Sequence, residues 1–129
     1  MKSDPHCDVL RIDSDVIEKA AVTVVKITGA IDAHSYEEIE EYLDNVFSTG
    51  AARLVFDLSG VRYMSSAGIG VFVGALAKAR QASGDLLLMN LCDTVRGTLE
   101  LLGLMPMFFV APDRNTAIAY FERQANGKR

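Results

Sequence analysis

The segment Asp57-Leu58-Ser59-Gly60-Val61-Arg62-Tyr63-Met64-Ser65-Ser66-Ala67-Gly68-Ile69-Gly70 constrains the fold of this chain more than any other stretch. Just before it, Arg53-Leu54-Val55-Phe56 reads as a central strand covered on both faces. The strand runs into an acidic residue, a Ser-Gly turn, a short bridge, two serines and then a helix rich in Gly and Ala. Ser65 and Ser66 therefore fall at a helix N-terminus, where backbone N–H groups lack partners and the macrodipole is positive. Such a position holds a phosphate, or displays a modifiable hydroxyl, better than an arbitrary surface loop does.

The segments on either side follow a β/α rhythm. Val9 to Asp13 alternates apolar and polar residues as a half-buried strand does, and Asp15 to Lys19 reads as a turn. The β-branched run Ala21 to Ile27 is a second strand hairpinned to the first, and Gly29 ends it. Asp32-Ala33-His34-Ser35 is the N-cap region of a helix with apolar residues at Tyr36, Ile39, Leu43, Val46 and Phe47. Its other face carries Glu37, Glu38, Glu40, Glu41 and Asp44, and Gly50 closes it. After the serine helix, which Gly84 stops, Asp85 to Leu91 is a buried strand. Asp93 or Thr94 caps a helix through Leu102, Met107 to Val110 is a last strand, and Pro112-Asp113 opens a last helix whose inner stripe is Ala117, Tyr120 and Phe121. The order β-β-α-β-α-β-α-β-α predicts one α/β domain with a mainly parallel central sheet, right-handed crossovers and an N-terminal hairpin strand. Residues 1–8 and 124–129 are expected to be polar tails around a domain at 9–123.

Composition narrows the function classes. A chain of 129 residues, half of them hydrophobic, can build one proper core. The net charge of −4 argues against a nucleic-acid binder, which needs a basic face. Cys7 and Cys92 are far apart and lack metal-ligand spacing, so reduced thiols of a cytoplasmic protein are expected. The start of the chain is not signal-like, and the apolar run Ala67 to Ala77 is far short of the ~20 residues that cross a bilayer.

The remaining constellations demand no catalysis. Ser66, His34 and Asp57 could in principle form a triad, but the G-x-S-x-G elbow is absent, since Met64 and Gly68 flank Ser66 at those offsets. His6-Cys7 lacks distant partners for a metal, and Gly68-Ile69-Gly70 matches neither a P-loop nor a dinucleotide fingerprint. A receiver domain would need a lysine after its fifth strand, where this chain has Ala111-Pro112. The expectation is therefore no catalytic residue, no metal and no cofactor. On the serine helix, Ile69, Phe72, Val73 and Leu76 form the expected core stripe. Gly68, Gly70, Val71, Gly74 and Ala75 leave a second face small and apolar, fit for a close-approaching partner. Asp32 and Asp57 fall near strand C-termini, which share one edge of a parallel sheet.

The segment from Asp57 to Gly70 closely resembles the signature of the STAS domain, best known from bacterial anti-sigma factor antagonists. Ile27-Thr28-Gly29-Ala30-Ile31-Asp32 is similar to the family's second strand and Gly-x-x-Asp turn, and Phe108 to Asp113 to its closing strand and helix start. The resemblance implies a binding protein that, unphosphorylated, engages an anti-sigma factor, usually a histidine-kinase-like Ser/Thr kinase, and so releases a sigma factor. The kinase uses ATP to phosphorylate one serine, and a metal-dependent phosphatase removes the phosphate. By position in the motif that serine is Ser66 rather than Ser65, which stands where many members carry an aspartate. The implied partner-binding residues are Asp32, Asp57, Met64, Ser65, Ser66, Ala67, Gly68, Ile69 and Val71, with the two aspartates supporting rather than reacting. A monomer is expected. The alternative is a STAS-type interaction subunit of a transporter or stress-sensing complex that is never phosphorylated.

Overall fold

The computed structural model describes residues 10–17 and 20–127, with side chains to residue 124. Its elements are β1 (Arg11–Ile17), β2 (Val22–Thr28), α1 (Tyr36–Ser48), β3 (Arg53–Gly60), α2 (Ser66–Gln81), β4 (Asp85–Met89), α3 (Asp93–Leu101), a 3₁₀ turn (Met105–Met107), β5 (Phe109–Ala111) and α4 (Arg114–Gly127). The five strands form one sheet in the order β1-β2-β3-β4-β5. β1 and β2 pair antiparallel, and the other pairs are parallel. The expected α/β class and hairpin strand are what the chain builds.

This strand order dictates the layering. Each parallel strand is added on the same side of the last, so right-handed crossovers must put α1, α2 and α3 on one face. Only α4, which follows the edge strand β5, is free to cover the other. The cores follow the two-residue period of the strands. Val25, Ile27, Leu54, Phe56, Leu58, Leu86 and Leu88 pack under α1–α3, with Phe56 and Phe72 meeting edge to face at 4.9 Å between ring centres. Val22, Val24, Val55, Leu87 and Met89 point the other way, against Ala117 and Phe121 of α4.

Several boundaries differ from expectation: β4 ends at Met89 rather than Leu91, where Asn90 takes a left-handed backbone, and the N-cap of α3 is Cys92 rather than Asp93 or Thr94. β1 lies at Arg11–Ile17 instead of Val9–Asp13, so Asp15 to Ile17 are strand rather than turn. β2 offers a ladder from Thr28 back to Val22, and pairing along it outweighs the weak β propensity of Ser14 and Asp15. Val9, like the expected N-terminal tail with His6 and Cys7, lies outside the described residues. β3 does not stop at Phe56 but continues through the expected turn to Gly60, because Asp57 pairs with Lys26 and Met89 on its two sides and Gly60 with Thr28. The last strand is Phe109–Ala111, since Pro106 turns Met105–Met107 into a 3₁₀ turn. α4 runs to Gly127, past the expected tail start at residue 124, with no Gly or Pro between Arg114 and Gly127 to break it.

Candidate functional site

The loops after β2, β3 and β4 meet at the C-terminal edge of the parallel strands, and the β3–α2 loop lies between the other two. The β2–α1 loop grips it from one side. The Tyr63 carbonyl accepts from the Ile31 N–H at 3.0 Å, and the Ser65 N–H donates to the Ile31 carbonyl at 2.7 Å. Ile31 and Met64 thus form a one-residue parallel bridge beyond the strands proper. On the other side the Cys92 thiol contacts the Arg62 carbonyl at 3.9 Å, a long sulfur contact.

The two serines at the start of α2 divide the work. Ser65 is the N-cap: its backbone is extended, and its Oγ accepts from the Gly68 N–H at 3.4 Å. Ser66 is the first helical residue and is exposed. Among the described residues nothing hydrogen-bonds its hydroxyl, and the Ser66 and Ala67 N–H groups also lack protein partners. An unengaged hydroxyl thus sits at the positive end of a helix, beside unpaired donors.

Asp32 serves its own loop, and Asp57 ties β3 to the turn after β4. Asp32 Oδ1 accepts from the His34 N–H at 2.8 Å and the Ser35 N–H at 3.1 Å. The His34 N–H above all holds its carboxyl below the usual value, and the Ser35 hydroxyl and N–H add to it against the opposing effect of desolvation. Asp57 Oδ1 accepts from Asn90 Nδ2 at 3.0 Å and the Ser59 N–H at 3.1 Å. Partial burial pushes this carboxyl up, but the Asn90 and Ser59 hydrogen bonds together outweigh burial and leave it lowered. Neither carboxylate hydrogen-bonds Ser66, and no Ser66–His34–Asp57 relay is assembled among the described residues.

The expected contact set separates into surface and support. Ser66 is exposed, and Ala67, Ser65, Asp32 and Asp57 are half-buried. Met64, Gly68, Ile69 and Val71 are buried, so they hold the surface up from beneath rather than form it. Gly68 has a packing reason to be glycine, because a Cβ there would run into the Ile31 side chain. Gly70 and Gly74 have none: both are exposed, and a Cβ on either would meet nothing within 4 Å. Each costs α2 about 0.5–1 kcal/mol against alanine without any return inside the chain. The small face expected on α2 is thus narrower than the sequence suggested, since Val71 and Ala75 turn inward against α1.

Sequence reasoning missed Tyr63, Ile31 and Asn90. Tyr63 is 51% exposed between buried Val61 and Met64, a large aromatic ring beside the serines. Its place in a loop flanked by apolar residues was the available signal. Asn90 gave none, because its left-handed backbone (φ 64°) and its bond to Asp57 depend on how β3 and β4 align.

The model of the STAS domain matches residues 11–117. The chain belongs to the STAS domain family. A candidate anti-sigma factor antagonist of Bordetella bronchiseptica, BtrV, is 30% identical over 113 residues, covering 88% of this chain and 96% of that one. The crystal structure of an anti-sigma factor antagonist from Mycobacterium paratuberculosis superposes with a TM-score of 0.78 at 22% identity, covering 88% of this chain and 95% of that one. The Bacillus cell fate determinant SpoIIAA, solved in its phosphorylated form, superposes at 0.62 with 20% identity, covering 92% of this chain and all of that one (100%). At these identities the two structures show that this STAS chain shares their fold. Among the described residues, no helix is long and apolar enough to cross a membrane.

Proposed function

We propose that this STAS chain is a cytoplasmic anti-sigma factor antagonist, not an enzyme. Unmodified, it binds a histidine-kinase-like anti-sigma Ser/Thr kinase and frees a sigma factor; phosphorylation of Ser66 ends the interaction. The observation that carries this reading is the contrast between neighbouring hydroxyls. Ser65 is consumed as the helix cap, whereas Ser66 is exposed and unengaged. Whole-length similarity to BtrV and the phosphorylated state known for SpoIIAA support it.

The physics of the switch is local. A phosphate on Ser66 adds roughly −1.5 to −2 charges and three acceptor oxygens. The N-terminus of α2 tolerates that charge, so the fold survives. A partner packed over Ser66, Tyr63 and the glycine ridge would instead have to bury it unpaired, at a cost of several kcal/mol. Modification therefore acts on binding and leaves folding alone. A metal-dependent phosphatase resets the monomer.

The test compares Ser66→Ala with Ser66→Asp. Ser66→Ala is expected to stay bound to the kinase in the presence of ATP, and Ser66→Asp to bind on the order of 100-fold more weakly. Equal affinity of the two would sink the proposal. Peptide mass spectrometry after incubation with kinase and ATP is expected to place one phosphate on Ser66; finding it on Ser65 would reassign the switch.

A further inference from the structure

The helices α1 and α2 enclose a groove of about 80 Å³ on the face away from the sheet. That is far below the roughly 300–1,000 Å³ of a small-molecule site, but it has room for an aliphatic side chain of a docked protein. Its floor is apolar, from Leu43, Phe47, Val71 and Ala75, and one rim is the Gly70–Gly74 ridge continuing from Ser66. The other rim is α1, which exposes Glu37, Glu38, Glu40, Glu41 and Asp44 and contains no Lys or Arg. Several of these carboxylates are three or four residues apart, a spacing at which like charges destabilise a helix. The nearby cation, Lys78, is already engaged by Asp44 at 2.8 Å.

The glycine rim therefore costs the isolated chain stability, the acidic rim leaves Glu40 and Glu41 without an ion-pair partner among the described residues, and a single kind of occupant would answer both. We propose that the α1–α2 groove receives a basic amphipathic helix of the kinase partner: an aliphatic side chain enters between the helices, the backbone approaches over Gly70 and Gly74, and Lys or Arg side chains face Glu37, Glu40 and Glu41. A second copy of this chain fits poorly, since it would set one acidic α1 beside another. The proposal rests on the reading of Ser66 as a kinase-regulated contact and extends that contact along α2. Complementary charge of this kind acts chiefly on the association rate and is weakened by salt.

The experiment uses the kinase retained by the immobilised Ser66→Ala chain, purified and titrated against three full-length chains: wild type, Gly74→Leu, and Glu37→Gln/Glu40→Gln/Glu41→Gln. Thermal melts establish that each is folded. Gly74→Leu is expected to bind at least tenfold more weakly, at any salt concentration. The triple variant is expected to associate about tenfold more slowly at 50 mM salt and to lose most of the wild-type salt dependence. Wild-type binding by both variants overturns the proposal. Loss in only one also overturns it, since the occupant is then either not basic or not seated in the groove. A concentration-dependent dimer that the triple variant strengthens would assign the groove to a second copy instead. If the kinase fails to distinguish Ser66→Ala from Ser66→Asp, the reading of Ser66 fails and takes this proposal with it. If it distinguishes them but ignores the groove variants, only this proposal fails.

Discussion

Gly68 sits directly against Ile31, so closely that a single methyl group at Gly68 would overlap the Ile31 side chain and press on Met64. The same Ile31 accepts the Ser65 N–H and donates to the Tyr63 carbonyl. One buried aliphatic residue in the β2–α1 loop therefore sets the position of the α2 N-terminus, and with it the direction in which Ser66 faces.

Gly68→Ala is expected to destabilise the chain by about 1–3 kcal/mol, the usual cost of overpacking, even though alanine is the better helix former. Gly70→Ala and Gly74→Ala should do the opposite and stabilise by about 0.5–1 kcal/mol each, since both positions open to solvent. Urea denaturation of the three variants checks this. Equal behaviour at all three positions would mean that Ile31 does not brace the helix start.

The fold class was legible because strand and helix periods alternate cleanly from β2 onward, and the cap glycines Gly50 and Gly103 mark the ends of α1 and α3. Strand lengths were not legible. The Asp57-Leu58-Ser59-Gly60 stretch has turn composition, and it becomes strand because Lys26, Thr28 and Met89 offer pairing on both sides. The site was half legible for the same reason. A sequence places Ser65 and Ser66 at a helix start, but which hydroxyl caps and which is free depends on the Ile31–Ser65 hydrogen bond, between residues 34 positions apart.

The two serines should separate in stability as they do in structure. Ser65→Ala removes the N-cap acceptor of α2 and is expected to cost about 0.5–1 kcal/mol, at the low end because the bond is long at 3.4 Å. Ser66→Ala touches no intramolecular bond and should fall within about 0.5 kcal/mol of wild type. Chemical denaturation of the unmodified proteins reads both values. A costly Ser66→Ala with a silent Ser65→Ala would reverse the assignment of cap and free hydroxyl.

Against the desolvation that pushes the Asp57 carboxyl up, Asn90 acts with Ser59 to lower it. The Asn90 side chain donates to Asp57 at 3.0 Å, and its own backbone sits in the left-handed region at φ 64°. Asn90→Gly keeps that backbone free of strain while deleting the amide, whereas Asn90→Ala loses both. The Asp57 carboxyl, followed by NMR, should titrate at higher pH in Asn90→Gly than in wild type. With a lowered folded pKa, Asp57 contributes stability that is present above its unfolded value and lost as pH falls through the folded one. Wild type should therefore lose its margin over Asn90→Gly on acidification below about pH 4. An unchanged Asp57 titration would show that the amide is a bystander.

At the opposite end of the sheet, Tyr120 of α4 gives a prediction in the alkaline range. Its hydroxyl donates to buried Asp85 at 2.7 Å, and Asp85 also accepts from the Leu86 N–H at 2.8 Å and Arg80 Nε at 3.3 Å. This joins α4 on one face of the sheet to α2 on the other through the first residue of β4. Burial first, and then the hydrogen bond and charge of Asp85, push the Tyr120 pKa up to about 12. An unfolded tyrosine titrates near 10. The folded value is the higher one, so the stabilisation is fully present below about pH 10 and is lost as pH rises towards 12. Tyr120→Phe keeps the ring that stacks on Phe109 at 4.9 Å but deletes the donor, and is expected to cost about 1 kcal/mol at pH 7. Denaturant midpoints of the two proteins should converge between pH 10 and 12, because there the wild type alone must either hold a proton or place a phenolate against the Asp85 carboxylate. A gap that stays constant across that range would show that the Tyr120 hydroxyl and Asp85 are not coupled.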